Sequence, residues 1–151
     1  MALHFAREEF DARVAATRAA LRRDGLAAIL LFAQESLYYL TGFDTSGYVF
    51  FQCAVLGDAD MPITLLTRRP DLEQARHTST ITDIRLWYDG EGADPAIELR
   101  AILAQRKLKG ERVGIELGTF GLTADKYDRV RHHLADWCEL VDASYWCVSC
   151  A

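Results

Sequence analysis

The residues with the most reactive side chains at a suggestive spacing are two cysteines near the C-terminus. Cys147 and Cys150 form a Cys-x-x-Cys pair. Such a pair performs redox chemistry when it stands at a helix N-terminus early in a fold, but here a single residue follows it. A zinc site could add Cys138 and either His132 or His133, yet the spacing is looser than in known zinc fingers. We therefore favour structural or adventitious cysteines.

The segment Phe43-Asp44-Thr45-Ser46-Gly47 contains the residue order of an aspartic-protease signature. That chemistry needs two aspartates that share one proton. The second aspartate would come from an internal repeat or a dimer on an all-β scaffold, and the sequence has neither the repeat nor the scaffold pattern. We interpret the segment as a polar turn.

An acidic loop, Asp89-Gly90-Glu91-Gly92-Ala93-Asp94, could bind a cation through its carboxylates. The oxygen spacing of a calcium loop is absent, so a solvated turn is the favoured interpretation. The sequence also contains no glycine-rich phosphate loop with Lys-Ser/Thr, no His-Glu-x-x-His and no Gly-x-Ser-x-Gly. No self-sufficient active site can be assembled from these residues.

Length and charge restrict the possible classes of function. A chain of 151 residues suits one domain, and with half of them hydrophobic it can build a core without metal or disulfides. Because 17 Lys and Arg are interspersed with 22 Asp and Glu, we expect no nucleic-acid partner. The longest apolar stretch, Leu26 to Ala33, is too short to span a bilayer. Four cysteines without a secretory signal favour a cytoplasmic location.

Hydrophobic patterning predicts the elements that would position a site. Helices are predicted over Arg7–Arg23, Asp71–His77, Asp94 to about Lys107, and a segment capped by Thr123. Strands are predicted over Leu26–Phe32, Tyr48–Leu56, Ile63–Thr67, Ile81–Trp87, Val113–Leu117 and Cys138–Val141. The first strand is an unbroken apolar run, which indicates burial on both faces. The sequence therefore predicts an α/β fold with a mixed β-sheet of about five to six strands flanked by helices on both faces.

The most distinctive segment is Leu37-Tyr38-Tyr39-Leu40-Thr41-Gly42-Phe43. We predict an aromatic half-turn that ends in a Thr-Gly bend and leads into the strand at Tyr48. Its aromatic side chains could anchor the core and a loop, which is the commoner role of such residues. The loop could instead project toward a ligand or a partner subunit.

Several short motifs follow one another between residues 5 and 144. They are Phe10-x-x-Arg13 with Arg18, the strand Gly25-Leu26-Ala27-Ala28-Ile29-Leu30-Leu31, the loop Tyr39-Leu40-Thr41-Gly42-Phe43, and the closing motifs Val113-Gly114-Ile115-Glu116, Leu122-Thr123-x-x-x-Tyr127 and Glu139-Leu140-Val141-Asp142-Ala143-Ser144. In this order and spacing they resemble the N-terminal domain of the creatinase/aminopeptidase P/prolidase family.

The resemblance implies a ribonuclease H-like fold and a supporting role. In such enzymes a C-terminal domain carries two Asp, two Glu and a His around two divalent metals (Mn, Co or Zn), and metal-activated water attacks an amide next to proline or another C–N bond. Creatinase is similar in fold but works without the metals. None of these ligand positions is found in this chain, so we expect no cofactor within it. The N-terminal domain in the family shapes the substrate pocket and mediates dimerisation.

We therefore interpret residues 1–144 as a non-catalytic N-terminal domain of an Xaa-Pro dipeptidase/aminopeptidase- or creatinase-type hydrolase. Residues 145–151 are expected to be a tail or the start of a connection to a catalytic domain. The expected partners are that catalytic domain and a second copy in a homodimer. The candidate substrate-pocket or dimer-loop residues are Tyr39, Thr41, Gly42, Phe43 and Tyr48. The alternatives are a free-standing protein-interaction module with the same fold and, ranked last, a redox or zinc protein built on Cys147 and Cys150.

Overall fold

Helices and strands alternate along the chain, and a computed structural model describes residues 3–144. The predicted tail and the pair Cys147 and Cys150 lie outside the described residues. The described elements are α1 Arg7–Arg23, β1 Ala28–Leu31, α2 Gln34–Thr41, β2 Cys53–Gly57, β3 Thr64–Arg68, α3 Leu72–Thr78, β4 Asp83–Trp87, α4 Pro95–Gln105, β5 Arg112–Ile115, α5 Ala124–Leu134 and β6 Glu139–Asp142. Short 3₁₀ turns occupy Gly47–Val49 and Arg69–Asp71.

The strands form one mixed sheet of six strands in the order β4-β3-β2-β1-β5-β6. β2 pairs antiparallel with β1 and with β3, whereas the β3–β4, β1–β5 and β5–β6 pairs are parallel. β2 therefore runs against the other strands. The short β2–β3 connection gives the predicted hairpin, and α3 and α5 form the crossovers that parallel neighbours require. The predicted α/β fold class is confirmed.

The central strand β1 is buried completely because helices cover both faces of the sheet. Ala28 and Leu30 point into the core under α4 and α5. Ile29 and Leu31 point into the opposite core under α1, α2 and α3. Successive side chains of a strand alternate between faces, so an unbroken apolar run is what a strand between two helix layers requires.

Local signals set the beginnings of α4 and α5 as predicted. Asp94 Oδ1 accepts a hydrogen bond from the Ala96 amide at 3.2 Å, and Pro95 occupies the first helical turn. Thr123 Oγ1 accepts from the Lys126 amide at 3.3 Å. No helix among residues 3–144 combines the length and the apolar character needed to cross a membrane.

Two predicted segments differ from the structure. The expected aromatic half-turn is the helix α2, which continues to Thr41 and ends at Gly42. The strand expected from Tyr48 begins only at Cys53. The reason for the late start is that the carbonyl groups of Tyr48 and Phe50 accept hydrogen bonds from the Lys126 side chain, so this backbone bonds to a side chain instead.

Candidate functional site

Three of the five predicted site residues form a buried corner at the end of α2. Thr41 is completely buried, and its Oγ1 donates to the Leu37 carbonyl at 2.5 Å and accepts from the Phe43 amide at 3.2 Å. The Thr41 carbonyl accepts from the Thr80 amide at 2.9 Å. Phe43 is also completely buried. Both side chains pack inside the fold, and the hydroxyl and carbonyl groups of Thr41 already have internal partners.

Gly42 is required at this corner for two reasons. Its φ of 79° lies in the left-handed region that residues with a Cβ rarely adopt. A Cβ here would also lie 3.0 Å from the Thr78 carbonyl oxygen and 3.2 Å from Phe10 Cζ. The Thr-Gly-Phe part of the predicted site therefore holds α2 against α1 and the end of α3.

Tyr39, the fourth candidate, is half-buried against α1. The Arg13 guanidinium lies 4.4 Å from the centroid of its ring, and Arg13 Nη1 donates to the Tyr39 carbonyl at 2.9 Å. Arg13 also lies 4.6 Å from the ring centroid of Phe5 and forms an ion pair with Glu9 at 2.6 Å. Arg13 thus holds α1 against α2 through a cation–π contact and a hydrogen bond.

Tyr48, the fifth candidate, lies in a different place. Its carbonyl accepts a hydrogen bond from Lys126 Nζ at 2.9 Å. Lys126 belongs to α5, which covers the face of the sheet opposite to α1 and α2. The structure therefore does not bring Tyr39 and Tyr48 into one cluster. Their role in a pocket or a dimer loop stays a prediction.

Lys126 joins two loops that carry exposed apolar side chains. Its Nζ donates to the carbonyls of Tyr48, Phe50 and Gly121 at 2.9, 2.6 and 3.2 Å. Burial lowers the pKa of this amine. Gly121 packs against the end of β1, where a Cβ would lie 2.0 Å from the Phe32 carbonyl oxygen. Both loops are therefore fixed at the edge of the sheet where β1 and β5 end.

We call the large side chains on these two loops, Tyr48, Val49, Phe50 and Phe120, the aromatic edge. Val49 is 60% exposed, Phe50 42% and Phe120 91%. The Arg68 guanidinium stacks on the Phe50 ring at 3.3 Å from its centroid and pairs with Asp89 at 3.2 Å. Apolar side chains displayed on restrained loops are typical of interaction surfaces. Sequence reasoning found only Tyr48 here; the signals available were the apolar run after Gly47 and a phenylalanine between two nearby glycines.

A buried carboxylate stands beside the aromatic edge. Glu116 Oε1 accepts from the amides of Phe32 and Ala33, both at 3.0 Å, and Oε2 accepts from Ser36 Oγ at 2.5 Å. Burial raises the pKa of Glu116, and these hydrogen bonds oppose the rise only in part. Glu116 and Phe120 are among the residues that line a cavity of about 300 Å³. The partners of Glu116 fix the two residues before α2 and Ser36 in its first turn to the end of β5.

Residues 3–144 contain no group of three or more His, Cys, Asp or Glu side chains that could hold a metal ion. Cys138 is a buried free thiol whose pKa is raised by burial. His133 Nε2 bonds to Asp94 Oδ2 at 2.8 Å, and Asp94 caps α4. Residues 3–144 therefore do not supply the ligands that a pair of metals would need, and we derive no reaction step through metals from them.

Solved structures of known proteins share this fold. An Xaa-Pro aminopeptidase from Streptococcus pyogenes aligns with a TM-score of 0.76 at 16% identity over 97% of this chain and 100% of that chain. The N-terminal domain of cytoplasmic peptidase PepQ from Mycobacterium tuberculosis H37Rv aligns with a TM-score of 0.72 at 20% identity over 93% of this chain and 98% of that one. Prolidase from Thermococcus sibiricus aligns with a TM-score of 0.76 at 16% identity over 93% of this chain but 36% of its own.

These likenesses show that the fold, an α/β domain with one mixed sheet, is shared with those structures. The sequence model of the Creatinase/Prolidase N-terminal domain matches residues 13–150. The chain belongs to this family, as its motifs indicated. No curated protein sequence matches the chain.

Proposed function

We propose that this chain is the non-catalytic N-terminal domain of an Xaa-Pro dipeptidase/aminopeptidase- or creatinase-type hydrolase. In this proposal it contributes to dimerisation and to the shape of the substrate pocket. Membership of the family supports the assignment. The lack of a metal-binding cluster among residues 3–144 is consistent with chemistry carried by another domain.

The observation that carries the proposed pocket role is the aromatic edge. Phe120 is 91% exposed although it is a large apolar side chain, and exposed apolar surface costs free energy in water. Lys126 fixes the backbone on both sides of this surface, so little conformational entropy would be lost when another domain covers it. We assign the aromatic edge as the surface that another domain completes to form a pocket wall.

The proposed hydrolase would use two divalent metals, Mn, Co or Zn, bound in a separate C-terminal domain. The metals would activate the attacking water. This chain's contribution would be the exclusion of water and the orientation of the substrate by Tyr48, Phe50 and Phe120, with Tyr39 as the corresponding candidate on the opposite face. Thr41, Gly42 and Phe43 would act indirectly by fixing α2.

We propose that the protein acts in the cytoplasm. Cys53 and Cys138, the cysteines within the described residues, are both free and buried. Burial raises the pKa of each thiol. Unpaired thiols are usual in a reducing compartment.

Two assays test the proposal. This chain alone, incubated with Xaa-Pro dipeptides and Mn²⁺, should show no hydrolysis, and metal-dependent turnover would overturn the non-catalytic assignment. In the full-length protein, Phe120→Ser should raise KM for an Xaa-Pro dipeptide, because a pocket wall contributes binding energy. Met61→Ser is the matched control, since Met61 is 45% exposed in the β2–β3 turn. An unchanged KM in Phe120→Ser would refute the pocket role.

The aromatic edge also favours a second candidate, a protein-interaction module without enzymatic role. A binding surface needs exposed apolar side chains on restrained loops as much as a pocket wall does. The two candidates differ in one measurement. A defined heteromeric complex that Phe120→Ser dissociates, together with unchanged hydrolysis in the full-length protein, would select the interaction module.

A further inference from the structure

The sheet has one edge whose side chains are self-complementary in charge. β4 is an edge strand, and within residues 3–144 it pairs with β3 alone. All five of its residues are only half-buried. Asp83 and Arg85 lie on the same face of the strand, with Arg85 Nε 2.8 Å from Asp83 Oδ1, and their side chains are 31% and 41% exposed. An edge of this kind offers free backbone groups to a second strand.

We infer that β4 is the surface on which two copies of this chain pair, and this inference rests on the proposed homodimer. The two β4 strands run antiparallel about a two-fold axis, with Ile84 opposite Ile84 of the second copy. In this register Asp83 lies opposite Arg85 of the second copy, and Arg85 opposite Asp83. The two intrachain Asp83–Arg85 pairs therefore become a cluster of four alternating charges, with two opposite-charge cross-strand pairs between the copies. A two-fold interface requires such self-complementarity.

The surroundings of β4 fit a second copy. A groove of about 420 Å³ lies at this strand; apolar residues that line it include Ile84, Leu86 and Ile102, and Tyr88 and the polar residues Arg85, Glu98 and Gln105 line it as well. Tyr88 is 65% exposed. Side chains from a second β4 would cover these apolar groups in the same step that satisfies the backbone.

The opposite edge of the sheet lacks this property. β6 carries Glu139 and Asp142 and no basic residue. No register of β6 against a second β6 can form an opposite-charge pair, and close registers place acids together. Pairing of β4 with β6 of another copy would be head-to-tail and would not close into a dimer. Among the two edges, β4 is the one suited to a closed dimer.

The test uses charge reversal in both partners, measured by sedimentation equilibrium. Arg85→Glu alone places acids opposite each other, and Asp83→Lys alone places bases opposite each other. Each should raise the dimer Kd by about tenfold or more, since each cross-strand pair changes from attraction to repulsion. An equimolar mixture of the two variants should form heterodimers, because Asp83 of one then faces Arg85 of the other and the introduced glutamate faces the introduced lysine.

Arg131→Glu on the exposed surface of α5 is the matched control and should leave the Kd unchanged. Circular dichroism verifies that the variants fold. This check matters for Asp83→Lys, because Asp83 also accepts a hydrogen bond from Thr64 Oγ1 at 2.7 Å. If Asp83→Lys does not fold, hydrogen exchange of the wild-type chain decides: amides of residues 83–87 should exchange more slowly at high protein concentration than at low.

A wild-type dimer unaffected by Arg85→Glu overturns the β4 interface and leaves dimerisation intact. A wild-type chain that stays monomeric overturns the β4 interface and the proposed dimerisation together. The pocket role of the aromatic edge is judged separately, by the KM of Phe120→Ser.

Discussion

Replacement of Glu116 by alanine should destabilise the start of α2 more than the replacement of an exposed residue nearby. The side chain is 3% exposed and accepts three hydrogen bonds, from the amides of Phe32 and Ala33 and from Ser36 Oγ. Alanine removes the acceptor and leaves three donors without a partner. A buried donor that loses its acceptor costs about 1–3 kcal/mol, and water in the adjacent cavity would recover part of this. We expect a loss of about 3–5 kcal/mol in the free energy of unfolding.

Urea unfolding followed by circular dichroism measures this loss. With a denaturant slope of about 2 kcal/mol per molar, the midpoint should fall by about 2 M. The matched control is Glu35→Ala, an exposed carboxylate in the first turn of α2, which should cost less than about 1 kcal/mol. If Glu116→Ala costs no more than Glu35→Ala, Glu116 is not what holds the start of α2.

The glutamine variant separates the hydrogen bonds from the charge. Glutamine keeps an acceptor oxygen but cannot ionise, so Glu116→Gln should be far milder than Glu116→Ala. Burial raises the pKa of Glu116. A raised pKa favours folding while the group is protonated, a contribution complete below the unfolded pKa of about 4.3 and lost as pH rises through the folded pKa. The stability of wild type minus that of Glu116→Gln should therefore fall as pH rises across this window. A difference that rises with pH would contradict the reasoning.

Three further predictions concern the corner of α2, the α4 cap and the aromatic edge. Gly42→Ala should cost about 2 kcal/mol or more, because it combines a left-handed backbone with a Cβ 3.0 Å from the Thr78 carbonyl; an unchanged urea midpoint would refute this. Asp94→Ala should cost about 1–2 kcal/mol through loss of the cap and the His133 hydrogen bond, and a midpoint equal to wild type would count against that cap. Lys126→Met should speed hydrogen exchange of residues 48–51 and 119–122 but not of β1, and equal rates would show that the ammonium does not hold these loops.

The helices that sequence predicted well have their signals within a few residues. α1 occupies Arg7–Arg23 as expected, with Glu8 and Glu9 in its first turn and Arg22 and Arg23 in its last. The starts of α4 and α5 were predicted from their own caps. Such signals can be found without knowledge of the fold, because the donor and acceptor are neighbours in the chain.

α2 was missed because its stabilisation is not local. Ala33 at its N-cap offers no side-chain hydrogen bond, and Tyr38 and Tyr39 have only moderate helix propensity. The acceptor at its start is Glu116, 83 positions from Ala33 along the chain. Phe120 was missed for a related reason: its exposure depends on how the loop after β5 crosses the end of β1.

Two of the family motifs hold the two ends of α2 in place. The Val113-to-Glu116 motif supplies the carboxylate at its start, and the Tyr39-to-Phe43 motif supplies the Gly42 turn at its end. Phe10 and Arg13 of the opening motif pack on the same helix. These three motifs therefore share one structural task, which is to hold a short helix on the sheet. Because Phe120 and β4 lie outside these motifs, substitutions there test binding without disturbing α2, whereas Tyr39 lies within one of them.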